Sequence, residues 1–234
     1  MILMQSSRLK AICSYIKPGS TVADIGSDHA LLPLYLIENE LSPWVIASEF
    51  GNGPFIKMQR AINAAGCRER IFVRQGSGLE SICPGEADYV VIAGMGGDII
   101  TDILASDWNK AETFSHFLLQ PMSRGCVLRR ALAARGWPIV DETLVMEKGQ
   151  FYVIIESRPG REVYRLSDVE EELGPLVLKG SSPLKKPYLN YYLDKYKIVC
   201  DNLARSPRAA AQGTRKNMIS RLRELEAIMN ESQG

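Results

Sequence analysis

The sequence predicts an α/β protein: a mostly parallel sheet of seven strands ending in an antiparallel hairpin, followed by a C-terminal α-helical coiled-coil region. Three observations lead there. Short β-rich runs alternate with helix-length stretches through the first two thirds of the chain, the last two runs lie too close together for a helical crossover, and the tail changes to heptad-like spacing. With 234 residues, 46% hydrophobic and 24% charged, the chain can bury a real core. That excludes disordered, collagen-like and small disulfide-scaffold classes.

Strand signals fall at residues 21–25, 44–48, 70–74, 88–93, 117–120, 138–145 and 151–156. Helix-length stretches at 31–39, 53–65, 97–104 and 124–135 separate most of them, and strands joined by such crossovers run parallel with both sheet faces covered. A further helix at 6–16 places Leu9, Ile12, Cys13 and Ile16 on one face, as expected of a cover for the core. The last two runs are joined only by Glu147-Lys148-Gly149-Gln150, which requires a hairpin. Five parallel βα units closed by a hairpin form the Rossmann-like pattern of a class I methyltransferase sheet. A dinucleotide dehydrogenase continues instead with a second mononucleotide half.

Composition shifts at Ser157-Arg158-Pro159-Gly160, so the expected domains are 1–160 and 161–234. In the second, Leu189, Tyr192, Tyr196, Val199 and Leu203 are spaced 3, 4, 3, 4, and Met218, Leu222, Leu225 and Met229 are spaced 4, 3, 4. These are two short coiled-coil seams. A linker at 204–213, with Ser206-Pro207 and Gly213, lets the second helix fold back on the first, which favours pairing within one chain and hence a monomer.

The net charge of +1 hides an asymmetry. Residues 179–223 hold eleven bases against Asp194 and Asp201, a balance of +9, leaving −8 elsewhere. Such a segment suits a polyanion, and equally a solvated helical face. Five scattered cysteines, an odd number without CxxC or Cys/His clustering, read as reduced thiols with no metal site. No signal-peptide core or membrane-length apolar run is present, so a cytoplasmic protein without a membrane partner is expected.

The most informative stretch is Thr21-Val22-Ala23-Asp24-Ile25-Gly26-Ser27-Asp28-His29-Ala30. It follows the D-x-G-x-G-x-G scheme of an S-adenosylmethionine loop, with Asp28 at the second glycine and Ala30 at the third. A carboxylate there repels a phosphate, whereas S-adenosyl-L-methionine presents a sulfonium and an ammonium, so Asp24 and Asp28 fit a cationic ligand. Asp28 is also placed to cap the following helix. Glu49 lies 23 residues after Gly26, close to the ~20 at which an acid closes on ribose hydroxyls. The third strand ends in Gln75-Gly76-Ser77-Gly78, where Gly76 and Ser77 are expected at the adenine edge, the Ser77 hydroxyl accepting without charge assistance. Ala93-Gly94-Met95-Gly96-Gly97 indicates close backbone approach, with Ala93 and Gly94 against the cofactor and Met95 in the acceptor pocket. His29 is expected in the same pocket, His116 in a structural place, and Gln120-Pro121-Met122 as a further wall. The N/D-P-P-Y/F tetrapeptide of exocyclic-amine methyltransferases is absent.

In order, Asp24-Ile25-Gly26-Ser27-Asp28-His29-Ala30-Leu31-Leu32-Pro33, the run from Ala47 through Glu49 to Pro54, Ala93-Gly94-Met95-Gly96-Gly97, Leu119-Gln120-Pro121-Met122, Gly136-Trp137 and the run from Glu147 to Tyr152 resemble the bacterial tRNA (adenine-22)-N1-methyltransferase family. The likeness runs from about residue 6 to 157 and more loosely through the tail. Leu31 stands where the family usually has Tyr, and Ser77 where it usually has Asp. The resemblance implies methyl transfer to N1 of an adenosine in the D-arm region of tRNA. Asp28, His29 and Met95 are then the residues expected nearest the reacting atoms, and Lys185, Lys186, Arg208, Arg215 and Lys216 the bases expected on RNA phosphates. Two other readings remain open: a small-molecule methyltransferase, which turns over without RNA, and a non-catalytic RNA-binding module holding the cofactor as a structural ligand.

Overall fold

Strands built almost wholly of buried apolar residues sit at the centre of a sheet covered on both faces, and the first strand, β1 (Val22–Ile25), is buried at all four positions. The structure, a computed structural model, describes residues 6–205 and 209–231. The other strands are β2 (Val45–Glu49), β3 (Ile71–Gln75), β4 (Tyr89–Gly96), β5 (His116–Ser123), β6 (Ile139–Glu147) and β7 (Gln150–Ser157), in the spatial order β3-β2-β1-β4-β5-β7-β6. Strands β1 to β5 are parallel and β7 is antiparallel to both neighbours. This is the seven-stranded, hairpin-terminated sheet that the sequence predicts.

Helices α1 (Ser7–Tyr15), α2 (Leu31–Glu38), α3 (Asn52–Ala64), α4 (Gly97–Ser106), α5 (Trp108–Ala111) and α6 (Gly125–Arg135) accompany it. Ile12 and Ile16 of the α1 segment are almost fully buried, as a core cover requires. Tyr15 Oη reaches Thr143 Oγ1 at 2.7 Å and donates to Asp141 Oδ2 at 3.0 Å, which ties α1 to β6.

Two boundaries differ from expectation in ways that matter for the site. β4 runs on to Gly96 and β5 to Ser123, so the expected loop after residue 93 is a continued strand with bulges between Ala93 and Gly96. Pro121 has no N–H for a ladder bond, and a bulge is where a strand accommodates that defect. The hairpin turn is only Lys148-Gly149, both in the left-handed region (φ 49° and 76°), the geometry whose twist matches two antiparallel strands.

The chain divides into two compact units, Met1–Arg165 and Leu166–Gly234. Residues just past 160 stay with the first: Tyr164 Oη donates to Trp137 O at 2.9 Å and its N–H to Ala133 O at 3.3 Å. The second holds α7 (Asp168–Leu173), opened by a Ser167/Glu170 capping box, α8 (Pro175–Lys179), α9 (Lys185–Ala204) and α10 (Ala209–Glu231). Helices α9 and α10 pack together, burying Leu189, Tyr196 and Leu225. Residues 209–213 are helical rather than linker: Ala209-Ala210-Ala211-Gln212 are strong helix formers, and one interior glycine costs only about 1 kcal/mol. The unit carries eleven bases and nine acids, so its net charge is +2. Part of the +9 run is neutralised locally, Arg221 by Asp168 at 3.1 Å and Lys195 by Glu172 at 3.7 Å. No helix among the described residues is long and apolar enough to cross a membrane.

Candidate active site

Parallel register aligns the carboxyl ends of the central strands, pairing Asp24 with Ala47 and Val91 and Glu49 with Gln75. The chain leaving those ends cannot fill the crevice above them, which is where open α/β sheets bind ligands. Here the crevice is a cavity of about 870 Å³ whose walls include Asp24, Gly26, Asp28, Glu49, Ala93, Gly94 and Met95.

Asp24 is 7% exposed. Burial pushes its carboxyl up to about 6, the Glu49 charge pushes the same way, and the nearby Ser27 side chain offsets part of the rise. Ser27 Oγ is itself buried, close enough to influence that carboxyl but with no hydrogen bond of good geometry among the described residues. A carboxylate held so expensively, beside an unsatisfied hydroxyl, is arranged for a polar or cationic ligand.

After Gly26 (φ 75°) the loop makes a single 3-10 turn, and His29 (φ 57°) and Ala30 (φ 54°) both take left-handed backbone. Ala30 occupies the third position of the glycine scheme, so the turn keeps the glycine shape at a cost of about 1 kcal/mol or more per residue. Asp28 is exposed and lines the cavity, 3.4 Å from His29 Nε2. His29 lies outside the cavity lining. Glu49 Oε1 accepts from Phe50 N at 2.9 Å and Gly51 N at 3.1 Å, which fixes the carboxylate and leaves Oε2 without a donor among the described residues. Gly94 (φ 79°) turns the strand where a side chain would meet open space. Gly76 and Ser77 follow β3 outside the lining; Gly76 N–H is bonded to Glu49 O at 3.2 Å, and Ser77 is exposed without capping the next turn.

The facing wall joins Gln120 and Met122, expected there from the sequence, to the first helix and the hairpin, which the sequence marks only as packing elements. Arg8, in the first turn of α1, bonds both Glu147 of the hairpin and Gln120 of β5. Burial raises the Glu147 carboxyl, but hydrogen bonds from Arg8 N, Ser6 Oγ and the Arg8 side chain outweigh it and hold the group below its usual range. Leu31, Met122 and Met146 add partly exposed apolar surface at the rim. His116 lies apart, stacked on Tyr89 at 4.6 Å and bonded to Glu156 at 3.0 Å, in a structural place.

The methyltransferase-domain family matches residues 5–155. The tRNA (adenine(22)-N(1))-methyltransferase of Bacillus subtilis is 37% identical over 175 residues, 75% of this chain and 74% of that protein. The chain belongs to the tRNA (adenine-22)-N1-methyltransferase family. Solved structures agree across nearly the whole length. The B. subtilis m1A22 tRNA methyltransferase TrmK superposes with a TM-score of 0.86 at 29% identity, covering 95% of this chain and 97% of that one. Mycoplasma capricolum TrmK in complex with S-adenosyl-homocysteine gives 0.82 at 25%, covering 96% and 99%.

Within the family frame, the opening loop and the strand-end acid were legible in the sequence, whereas Arg8 was not. Its only signal was a base one turn ahead of the buried Ile12 on an amphipathic helix. The Glu147–Tyr152 motif marked the hairpin without giving it a role. Of the expected phosphate contacts, Lys186, Arg215 and Lys216 are exposed and Lys185 is half-buried; Arg208 lies outside the described residues.

Proposed function

We infer that this protein is an S-adenosyl-L-methionine-dependent tRNA methyltransferase that methylates N1 of adenosine 22. The observation that carries the reading, beside family membership, is the acid-lined cavity at the carboxyl ends of β1, β2 and β4. Its donor set fits the cofactor: Asp24 and Asp28 suit the ammonium and sulfonium, Glu49 Oε2 the ribose hydroxyls, and Ala93 and Gly94 allow close approach. Gly76 and Ser77 are assigned the adenine edge from their place after β3. When bound, S-adenosyl-L-methionine supplies an electrophilic methyl group.

Adenine N1 already carries a lone pair at neutral pH, so no strong base has to remove a proton before attack. The residues therefore act by alignment and exclusion of water. Met95 and Leu31 supply apolar surface against a flipped base. Asp28 accepts from the adenine amino group and offsets positive charge developing on the ring. His29, paired with Asp28, orients that carboxylate.

Extracting a base from folded RNA costs a few kcal/mol, which phosphate contacts by the second unit offset. Lys185 and Lys186 occupy the first turn of α9, where the helix dipole disfavours cations. Bases in that position serve a partner rather than the helix. The protein acts in the cytoplasm without a metal, as a monomer whose α9 and α10 pair within one chain.

The test is incubation with labelled donor and bulk tRNA, digestion to nucleosides and mapping of the modified position. Label in 1-methyladenosine at position 22 supports the reading. Label in a small molecule without RNA overturns it.

A further inference from the structure

The flank formed by α3 and β3 is basic in a first unit that is otherwise acidic. Residues 52–74 hold Lys57, Arg60, Arg68, Arg70 and Arg74 against one acid, Glu69, a balance of +4, whereas the rest of residues 1–165 holds twelve bases and seventeen acids, a balance of −5. Two of the five bases are committed. Arg74 forks onto Glu86 at 2.6 Å, and Arg70 donates to the carbonyls of Ser42 and Pro43. Lys57, Arg60 and Arg68 are exposed and make no side-chain hydrogen bond or ion pair among the described residues.

Helix α3 arranges this surface. At 100° per residue, Gln59, Asn63, Ile56, Arg60 and Lys57 follow one another around one side, while Met58 and Ile62 are fully buried on the other. The helix contains no acid, so its cations have no i, i+3 or i, i+4 partner. Gln59, Asn63 and Arg68 line a cavity of about 340 Å³ at the free edge of the sheet, shared with Phe72 and Arg74 of β3. Ile71 and Val73 join the core with Met58 and Ile62 of α3, so period-two alternation turns Phe72 to the opposite face. There the connection from β3 to β4 has a short 3-10 turn, Gly78–Ser81, in place of a covering helix. Phe72 stays 45% exposed, edge-on to Trp44 at 5.8 Å.

Unpaired cations, amides and an uncovered aromatic ring side by side suit a single-stranded nucleic acid: the cations follow the phosphates and the ring takes a base by its face. We propose that this α3/β3 flank is a second RNA-contact surface, which holds the phosphate backbone of tRNA on Lys57, Arg60 and Arg68 and an unpaired base on Phe72. The inference rests on the tRNA reading above and adds to it a contact on the first unit itself. Helix α3 packs against the turn at residues 28–30, so the flank adjoins the mouth of the cavity. A second copy of the chain suits this edge less well, because a two-fold contact sets the same three cations against themselves.

The test uses the full chain in three forms: unaltered, K57Q/R60Q/R68Q and F72A. tRNA affinity is measured across a salt series, with S-adenosyl-homocysteine affinity and solution mass on the same samples. The triple variant is expected to bind tRNA roughly tenfold or more weakly at low salt, with a log-log salt slope shallower by about 2 to 3. F72A is expected to lose a similar factor, roughly tenfold, with the slope unchanged, because stacking releases no counterions. S-adenosyl-homocysteine affinity stays as it was in both, which also shows that they are folded. Unchanged tRNA affinity in either variant overturns the proposal, including the case where F72A only dissociates a dimer, which makes the flank a contact between copies. Equal weakening of both ligands overturns it too, because the flank is then structural. An unaltered protein that binds S-adenosyl-homocysteine but no tRNA refutes the tRNA reading itself, and this surface with it.

Discussion

Met95 occupies the space that a side chain on Gly26 would need: a Cβ built on Gly26 collides with Met95 Cε. The two residues come from different strand ends, β1 and β4, and both line the cavity. Gly26 is constrained by its φ of 75°, whereas Met95 Cε is the free end of a flexible side chain that rotation can move aside.

That relationship separates two costs. Gly26→Ala is expected to lower stability by about 1 to 2 kcal/mol from backbone strain alone, plus a clash term. Met95→Ala in the same chain should relieve the clash and leave the strain. A double-mutant cycle by thermal unfolding measures the coupling; strictly additive effects would mean that Met95 moves aside freely.

Asp24 sets a pH dependence whose sign is fixed. Its folded pKa is raised from 3.8 to about 6, so the folded state binds more protons than the unfolded one between those values. The ionised group therefore costs the ligand-free protein stability, on the order of 3 kcal/mol at most. That cost grows as pH rises through the window and is absent below it. Asp24→Asn is expected to raise the melting temperature at pH 7.5 while weakening cofactor binding. In the unaltered protein, cofactor affinity should fall below about pH 6, as the carboxyl that favours a cation protonates. Calorimetry from pH 5 to 8 checks both.

Asp28 is exposed and contributes little to packing, so Asp28→Ala should leave the melting temperature within about 0.5 kcal/mol equivalent. Turnover on tRNA is expected to fall by a hundredfold or so, the usual scale for losing one such group. Unchanged turnover with cofactor bound removes Asp28 from the reaction.

Arg129 and Glu142 form an ion pair at 2.7 Å with side chains 2% and 0% exposed. Glu142→Gln leaves the guanidinium charge buried, and a loss of about 3 to 5 kcal/mol is expected. Chemical denaturation measures it, and a near-neutral result would mean that water reaches the pair.

Reversing Lys186, Arg215 and Lys216 to Glu should weaken tRNA binding and flatten its salt dependence, by about 0.7 to 0.9 in log-log slope for each lost phosphate contact. S-adenosyl-homocysteine affinity, measured on the same protein, should not change.

The sequence by itself determined the strand order's ingredients: alternating β and helical runs, a connection too short for a crossover, and the spacing from Gly26 to Glu49. These are local patterns, written within one element or one turn. The Asp24 carboxylate at a strand end was legible for the same reason. What tertiary structure decided was everything that depends on two distant segments meeting. The cavity wall of Arg8, Gln120 and Glu147 joins positions more than a hundred residues apart, and no periodicity reports such a meeting. The real charge of the second unit emerged only when acidic α7 proved to share it with the basic run, pairing Asp168 with Arg221. The extension of β4 through its glycines had the same origin, because a strand ends where its neighbour stops pairing, and β5 continues to Ser123.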